Sequence, residues 1–232
     1  MREVKTFIPR IDAMPPAQQA VWRRLGPTVG LGFVLYGGTA AALLLGHRKS
    51  IDFDFFTDKQ LDKALLRRSL PFLDSCTVLQ DQVETLAVET QPEGSFEVPV
   101  KVSFFGSISF GRVDEPMITQ DGIAVVASLA DLLATKLKVI MQRAEAKDYQ
   151  DIAAILRAGL PLEVGLASAL AMFGATFQPS ECLRALVYFQ GGDLGSLSVI
   201  DRETLIASAT LVVDLPAVRL VSKTLTTPRT GQ

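Results

Sequence analysis

With 232 residues, the chain is long enough for one large domain or for a core domain with a smaller helical one. Hydrophobic residues make up 48% and charged residues 21%, with a formal net charge of −2, which excludes a disordered chain and gives no general electrostatic case for binding nucleic acid. One histidine and two distant cysteines, Cys76 and Cys182, exclude a structural zinc site and a disulfide framework, and both cysteines are expected as buried thiols.

The N-terminal stretch MREVKTFIPRIDAMPPAQQ has no apolar core of signal-peptide type, and no window approaches the ~20 apolar residues of a spanning helix. The expectation is a cytoplasmic protein with no membrane association. In chain order, GFVLY (32–36) is short and β-prone and runs into Gly37-Gly38-Thr39. AAALLL follows as a short helix, stopped at Gly46 by a left-handed C-terminal residue. His47-Arg48-Lys49-Ser50 form a polar connection, and Ile51-Asp52-Phe53-Asp54-Phe55 alternate as a half-buried strand does. Thr57 with Gln60 reads as a capping box that opens a helix from about 58 to 74.

Residues 76–90 and 96–105 alternate as further strands, with QPEGS (91–95) as the turn between them. Within FEVPVKVSFF, Phe96, Val98, Val100, Val102 and Phe104 share one face, and Pro99 suggests an edge strand. From about 118 the pattern becomes helical. Ser128 with Asp131 caps a helix to about Arg143, and a second covers roughly 145–158, stopped by Gly159 and Pro161. Residues 162–232 are mostly helical in pattern, with a disordered tail TTPRTGQ. The fold class expected is α+β: a core over 1–117, with a small mixed sheet flanked by helices, then a helical region over 118–232 that packs on the core and completes its site.

The chemistry concentrates in YGGTAAALLLGHRKSIDFDFFTD. On a strand, residues i and i+2 face one way about 6.5–7 Å apart, so Asp52 and Asp54 present two carboxylates side by side. Their mutual repulsion is relieved by a divalent cation, Mg²⁺ or Mn²⁺, which takes oxygen ligands and leaves room for phosphate oxygens. Two metals bridged by such a pair is the usual device for in-line phosphoryl displacement. Gly37 and Gly38 let the backbone approach a ligand where a helix N-terminus aims its N–H groups, a position suited to a triphosphate. Thr39 either donates to a phosphate or caps the helix. The same residues also read as a tight turn with an ordinary polar strand face. A phosphatase-type D-x-D-x-[TV] motif fits poorly, because Phe56 stands at the Thr/Val place, and sugar-transferring D-x-D enzymes do not call for the glycines.

In the first C-terminal helix, Leu129, Leu132, Leu133 and Ile140 form one stripe, with Lys136 in its middle. A lysine there must snorkel, pair with a carboxylate, or meet a ligand anion. On the next helix Asp148 flanks the stripe of Tyr149, Ile152, Ala153 and Leu156, with Asp151 one turn further on. Arg143 and Lys147 are exposed-face candidates for an RNA or phosphate contact.

Gly37-Gly38, thirteen intervening residues and then Asp52-Phe53-Asp54-Phe55 resemble the signature of the DNA polymerase β-like nucleotidyltransferase superfamily. More narrowly, LYGGTAAALLLGHRKSIDFDFF is similar to the AbiEii family of abortive-infection toxins, as are DLLATKLKVIMQRAEAKDYQDIAAIL (131–156) and LRALVYFQGGDLGSL (183–197). The resemblance implies metal-dependent transfer of a nucleotidyl group from an NTP, with the 3′ end of tRNA as acceptor in some relatives, and pairing with an antitoxin protein. It assigns Asp52 and Asp54 to the metal, and Gly37, Gly38 and Thr39 to the β,γ-phosphates. Arg48 and Ser50, with His47, fall to nucleotide or acceptor binding. Lys136 is assigned to the phosphates and the leaving pyrophosphate, and Asp148 or Asp151 to supporting the site. Many superfamily members carry a third carboxylate on a later strand. The place here is KVSFF, where Ser103 stands, so Glu97 or a helix residue would have to compensate. That departure keeps two other readings open: a degenerate nucleotide-binding module that acts through a protein partner, and an NTP-dependent phosphotransferase.

Overall fold

The computed structural model describes residues 5–91 and 98–226. The anticipated 91–95 turn, apart from Gln91, and the TTPRTGQ tail after Thr226 lie outside the described residues. The chain divides into two compact units. The first comprises the residues up to Gly111, Glu115–Ala127 and the chain from Lys223; the second comprises Arg112–Asp114 and Ser128–Ser222.

The first unit holds a mixed sheet. Its strands are β1 (Thr6–Phe7), β2 (Val34–Tyr36), β3 (Phe53–Phe56), β4 (Thr77–Gln82), β5 (Thr85–Glu89), β6 (Lys101–Phe105), β7 (Met117–Thr119) and β8 (Val125–Val126), in the spatial order β1-β7-β8-β2-β3-β6-β5-β4. Pairing is parallel for β1–β7, β2–β8 and β3–β6 and antiparallel elsewhere. Two short helices, α1 (Pro16–Trp22) and α2 (Pro27–Leu31), each begin on a proline, whose fixed φ and missing N–H suit the first turn.

Helix α3 (Gly37–Leu45) follows β2 without a break and ends at Gly46 with φ 65°, as the sequence indicated. Ala40, Ala41, Ala42 and Leu43 are all fully buried, so this helix is apolar on every side because every side meets protein. On one face of the sheet Phe53, Phe55 and Phe104 are buried completely. Phe55 stacks on Phe104 at 5.5 Å, and Trp22 of α1 stacks on Phe53 at 6.0 Å. Each such ring contributes about 1.5–3 kcal/mol on burial, which locks the register of β3 and leaves Asp54 and Phe56 on the other face.

Several local expectations are corrected. Thr57 does not cap a helix. Its N–H donates to the Phe105 carbonyl (2.9 Å) and its carbonyl accepts from Ile108 (3.0 Å), so residues 57–61 are tied to the end of β6 instead. Helix α4 (Lys63–Ser69) starts later, with Asp62 accepting from the Leu65 N–H at 2.8 Å. Residues 76–90 are a hairpin, with β4 exposed along its length at the sheet edge. β6 is interior, and Pro99 precedes it, so its missing N–H removes no ladder bond. The stretch after 117 begins as β7 and β8, joined by a turn in which Asp121 accepts from Ile123 N–H (3.1 Å) and Gly122 has φ 71°.

The second unit is helical: α5 (Leu129–Ile140), α6 (Ala146–Arg157), α7 (Leu162–Phe173), α8 (Pro179–Val187) and α9 (Val199–Thr210). Ser128 caps α5 as anticipated, accepting from the Asp131 N–H at 3.1 Å, while its hydroxyl donates to Asp131 Oδ2 at 2.6 Å. α5 ends at Ile140 rather than near Arg143, and residues 211–226 are not helical. α7 crosses α5 closely at Gly165, where a Cβ would run into Leu133. Cys182 is buried but Cys76 only half so. Among the described residues no single helix is long and apolar enough to cross a membrane.

Candidate nucleotide and metal site

β2 and β3 pair so that Tyr36 lies opposite Asp54, and α3 begins at the next residue. Gly37 has φ 75°, a region that a residue with a Cβ enters only under strain. A Cβ there would stand 2.6 Å from Asp54 Oδ2. The Asp54 carboxylate therefore sits against the backbone at the entry of α3, where a helix has N–H groups without intrahelical partners. At Gly38 a Cβ would meet the Arg48 guanidinium and stand 3.2 Å from Ser50 Oγ. The glycine turn, the acidic strand and the Arg48–Ser50 connection thus converge in the first unit. Arg48 also donates to the Lys49 carbonyl at 3.0 Å.

Thr39 faces inward. It is 1% exposed, and its hydroxyl donates to the Asp52 carbonyl, with Ser50 Oγ 2.9 Å away. Ser50 is itself buried, so both hydroxyls hold the turn to the strand. Asp52 lies one residue before β3. Gln18, which carried no signal in the sequence, is fully buried beneath this group and donates to Thr39 Oγ1 at 3.1 Å.

β6 runs parallel to β3 with Ser103 in register beside Asp54. Ser103 is 1% exposed, and its Oγ has no hydrogen-bond partner among the described residues. Glu97, the carboxylate expected to compensate, lies outside the described residues. No group of three or more His, Cys, Asp or Glu side chains that could hold a metal occurs among the described residues. Two aspartates fit Mg²⁺ or Mn²⁺ nonetheless, because Mg²⁺ is commonly held by one or two carboxylates and completes its shell with phosphate oxygens and water. The donor set suits an ion shared with a substrate, not a closed protein cage.

In the second unit Lys136 sits between two carboxylates, 2.7 Å from Asp148 Oδ1 and 2.6 Å from Asp151 Oδ2. Of the choices open to a lysine on an apolar stripe, it takes the internal ion pair. Arg143 Nε reaches Asp148 Oδ2 at 2.9 Å and half-buried Glu145 at 3.4 Å, and Lys147 pairs with the same Glu145. Burial works to raise the Asp148 carboxyl, but Lys136 and Arg143 outweigh it and hold that carboxyl below its ordinary value. Asp193 explains part of the GGDLGS loop: it accepts from the Ala146 N–H at 2.6 Å and so caps the helix that carries Asp148 and Asp151.

A family profile described as "Nucleotidyl transferase AbiEii toxin, Type IV TA system" matches residues 27–189. An uncharacterised protein of Aquifex aeolicus (strain VF5) is 31% identical over 127 residues, 54% of this chain and 58% of that protein's length. Among solved structures, the nucleotidyltransferase toxin MenT4 of Mycobacterium tuberculosis superposes with a TM-score of 0.56 at 13% identity, covering 85% of this chain and 84% of its own. A protein of H. pylori assigned as a nucleotidyltransferase gives 0.56 at 19% identity, covering 84% and 92%. A nucleotidyltransferase-like antigen of Paracoccidioides brasiliensis gives 0.52 at 17%, covering 91% and 98%. At these identities the structural likeness is one of fold: a mixed sheet flanked by helices with a helical C-terminal region.

Proposed function

The chain belongs to the AbiEii nucleotidyltransferase toxin family, and from that membership we propose that it moves a nucleotidyl group from an NTP to an acceptor hydroxyl, with the 3′ end of tRNA as the acceptor and an antitoxin protein as its partner. The observation that carries this reading is the Asp54 carboxylate set against the Gly37 backbone at the start of α3, where a group able to hold a cation stands beside helix N-terminal N–H groups able to meet a phosphate. Asp52 and Asp54 would hold Mg²⁺ or Mn²⁺, which when bound offsets the charge developing on the phosphates. Gly37 and Gly38 admit the triphosphate to the helix N-terminus, and Arg48 adds positive charge at Gly38. The acceptor oxygen bonds to the α-phosphorus as the bond to the bridging oxygen breaks and pyrophosphate leaves. Ser103 cannot take the acceptor's proton as a carboxylate would, so that proton passes to water or to an oxygen of the departing pyrophosphate. The roles of Lys136, Asp148 and Asp151 are read as support: a neutralised cluster that fixes α5 against α6.

One observation favours a second reading. The hydroxyl of Ser103 beside Asp54 suits a degenerate module that binds nucleotide and acts through its partner. Incorporation from the four α-labelled NTPs into total tRNA with Mg²⁺, comparing wild type with Asp54→Ala, separates the two. Labelling lost in the variant supports the transferase, and nucleotide binding without labelling or pyrophosphate release supports the binding module. Release of a nucleoside diphosphate instead of pyrophosphate would point to phosphoryl transfer.

A further inference from the structure

Gln18 lies on α1, ahead of the segment matched by the family profile, and is 0% exposed. Glutamine is rarely buried so deeply, because four hydrogen-bonding positions must be met. Its Nε2 donates to Thr39 Oγ1 at 3.1 Å and to the Asp52 carbonyl at 3.4 Å, while its Oε1 has no partner among the described residues. The Thr39 hydroxyl donates to the same Asp52 carbonyl and lies 2.9 Å from Ser50 Oγ. Buried side chains from α1 and α3 therefore meet at one backbone oxygen, and Ser50, from the connection before β3, joins them through Thr39.

That oxygen needs such a clamp. Pairing of β3 with both its neighbours leaves out Asp52: the register with β2 reaches only Asp54, and that with β6 only Phe53. No ladder bond fixes the residue. A methionine would fill this buried position without stranding an amide oxygen, so packing alone does not account for a glutamine here.

We propose that Gln18 is a positioning residue for the divalent-cation site: through Thr39 and directly, it fixes the backbone of Asp52 and hence where that carboxylate meets a cation–nucleotide complex. This rests on the reading given under Proposed function. The test is titration with Mn²⁺ in the presence of an NTP, read by the paramagnetic signal of the unbound ion, on wild type and Gln18→Met, with a thermal melt of each. Gln18→Met keeps the volume and removes the donor. The expected result is Mn²⁺ affinity lower by about tenfold, with the double variant Gln18→Met/Thr39→Val losing less than the sum of the two single losses, because both act on one carbonyl. A folded Gln18→Met that binds Mn²⁺ as wild type does, whatever its melting temperature, overturns the proposal and leaves the transferase reading standing. Wild type that binds neither Mn²⁺ nor NTP overturns both. Should Gln18→Met fail to fold, Ser50→Ala probes the rim of the same network: weakened Mn²⁺ binding supports the proposal and unchanged binding refutes it.

Discussion

Gly37 carries two constraints in one residue. Its φ of 75° costs an L side chain about 1–2 kcal/mol, and a Cβ would stand 2.6 Å from Asp54 Oδ2, far inside contact distance. Gly38 is different, because the atoms that its Cβ would meet first belong to the end of the flexible Arg48 side chain. Gly37→Ala is therefore expected to lower stability by about 1–2 kcal/mol in urea titration and to cut nucleotide transfer by about 10²-fold, since displacement of a reacting-site group by an ångström has that effect. Wild-type turnover by Gly37→Ala would place the reaction elsewhere. At this scale the sequence was informative where a residue type is rare in its setting. A double glycine after a strand and two aspartates in a phenylalanine run announced themselves. Gln18 did not, because PPAQQAVW gives no way to tell which glutamine of an amphipathic helix turns inward. Thr39 was visible, but the direction of its hydroxyl depended on Ser50 and Gln18 meeting it.

Lys136 joins elements. It leaves α5 to lie between Asp148 and Asp151 of α6, with its side chain only 8% exposed and theirs not at all. Removing one partner of a buried ion pair strands charge, at a cost of about 3–5 kcal/mol. Lys136→Met is expected to lose that much in denaturant unfolding, because two buried carboxylates then lose the lysine that lies between them. A loss below about 1 kcal/mol, the range of an exposed pair, would contradict the arrangement. Elements were legible to the extent that their caps were local. Ser128–Asp131, Gly46 and the Gly159–Pro161 stop of α6 all lie within a few residues of what they terminate. The start of α4 was misplaced because Thr57 spends its backbone on β6, a strand more than forty residues later. β7 and β8 were missed because two or three residues carry no periodicity, and only pairing reveals them.

For the molecule as a whole, two buried carboxylates of the helical unit pull stability in opposite directions with pH. Burial, reinforced by the charge of Asp114, pushes the Asp131 carboxyl from 3.8 to about 6, against the hydrogen bonds from Ser128 and Val113. A group raised in the fold stabilises it fully below its unfolded value, and that contribution is lost as pH rises through about 6. Asp148 is lowered, so its contribution is present above 3.8 and is lost as pH falls through its still lower folded value. The urea midpoint should therefore rise as pH is lowered from about 7.5 to about 5, pass through a maximum, and fall below about 4. Asp131→Asn, which keeps an acceptor for the Val113 N–H, should flatten the upper arm and leave the acid fall intact. Lys136→Met should blunt the acid fall, because without that lysine ionised Asp148 no longer stabilises the fold to the same degree. If the wild-type midpoint declines steadily from neutral pH downward, then Asp131 is charged within the fold and the helical unit gains nothing from its protonation.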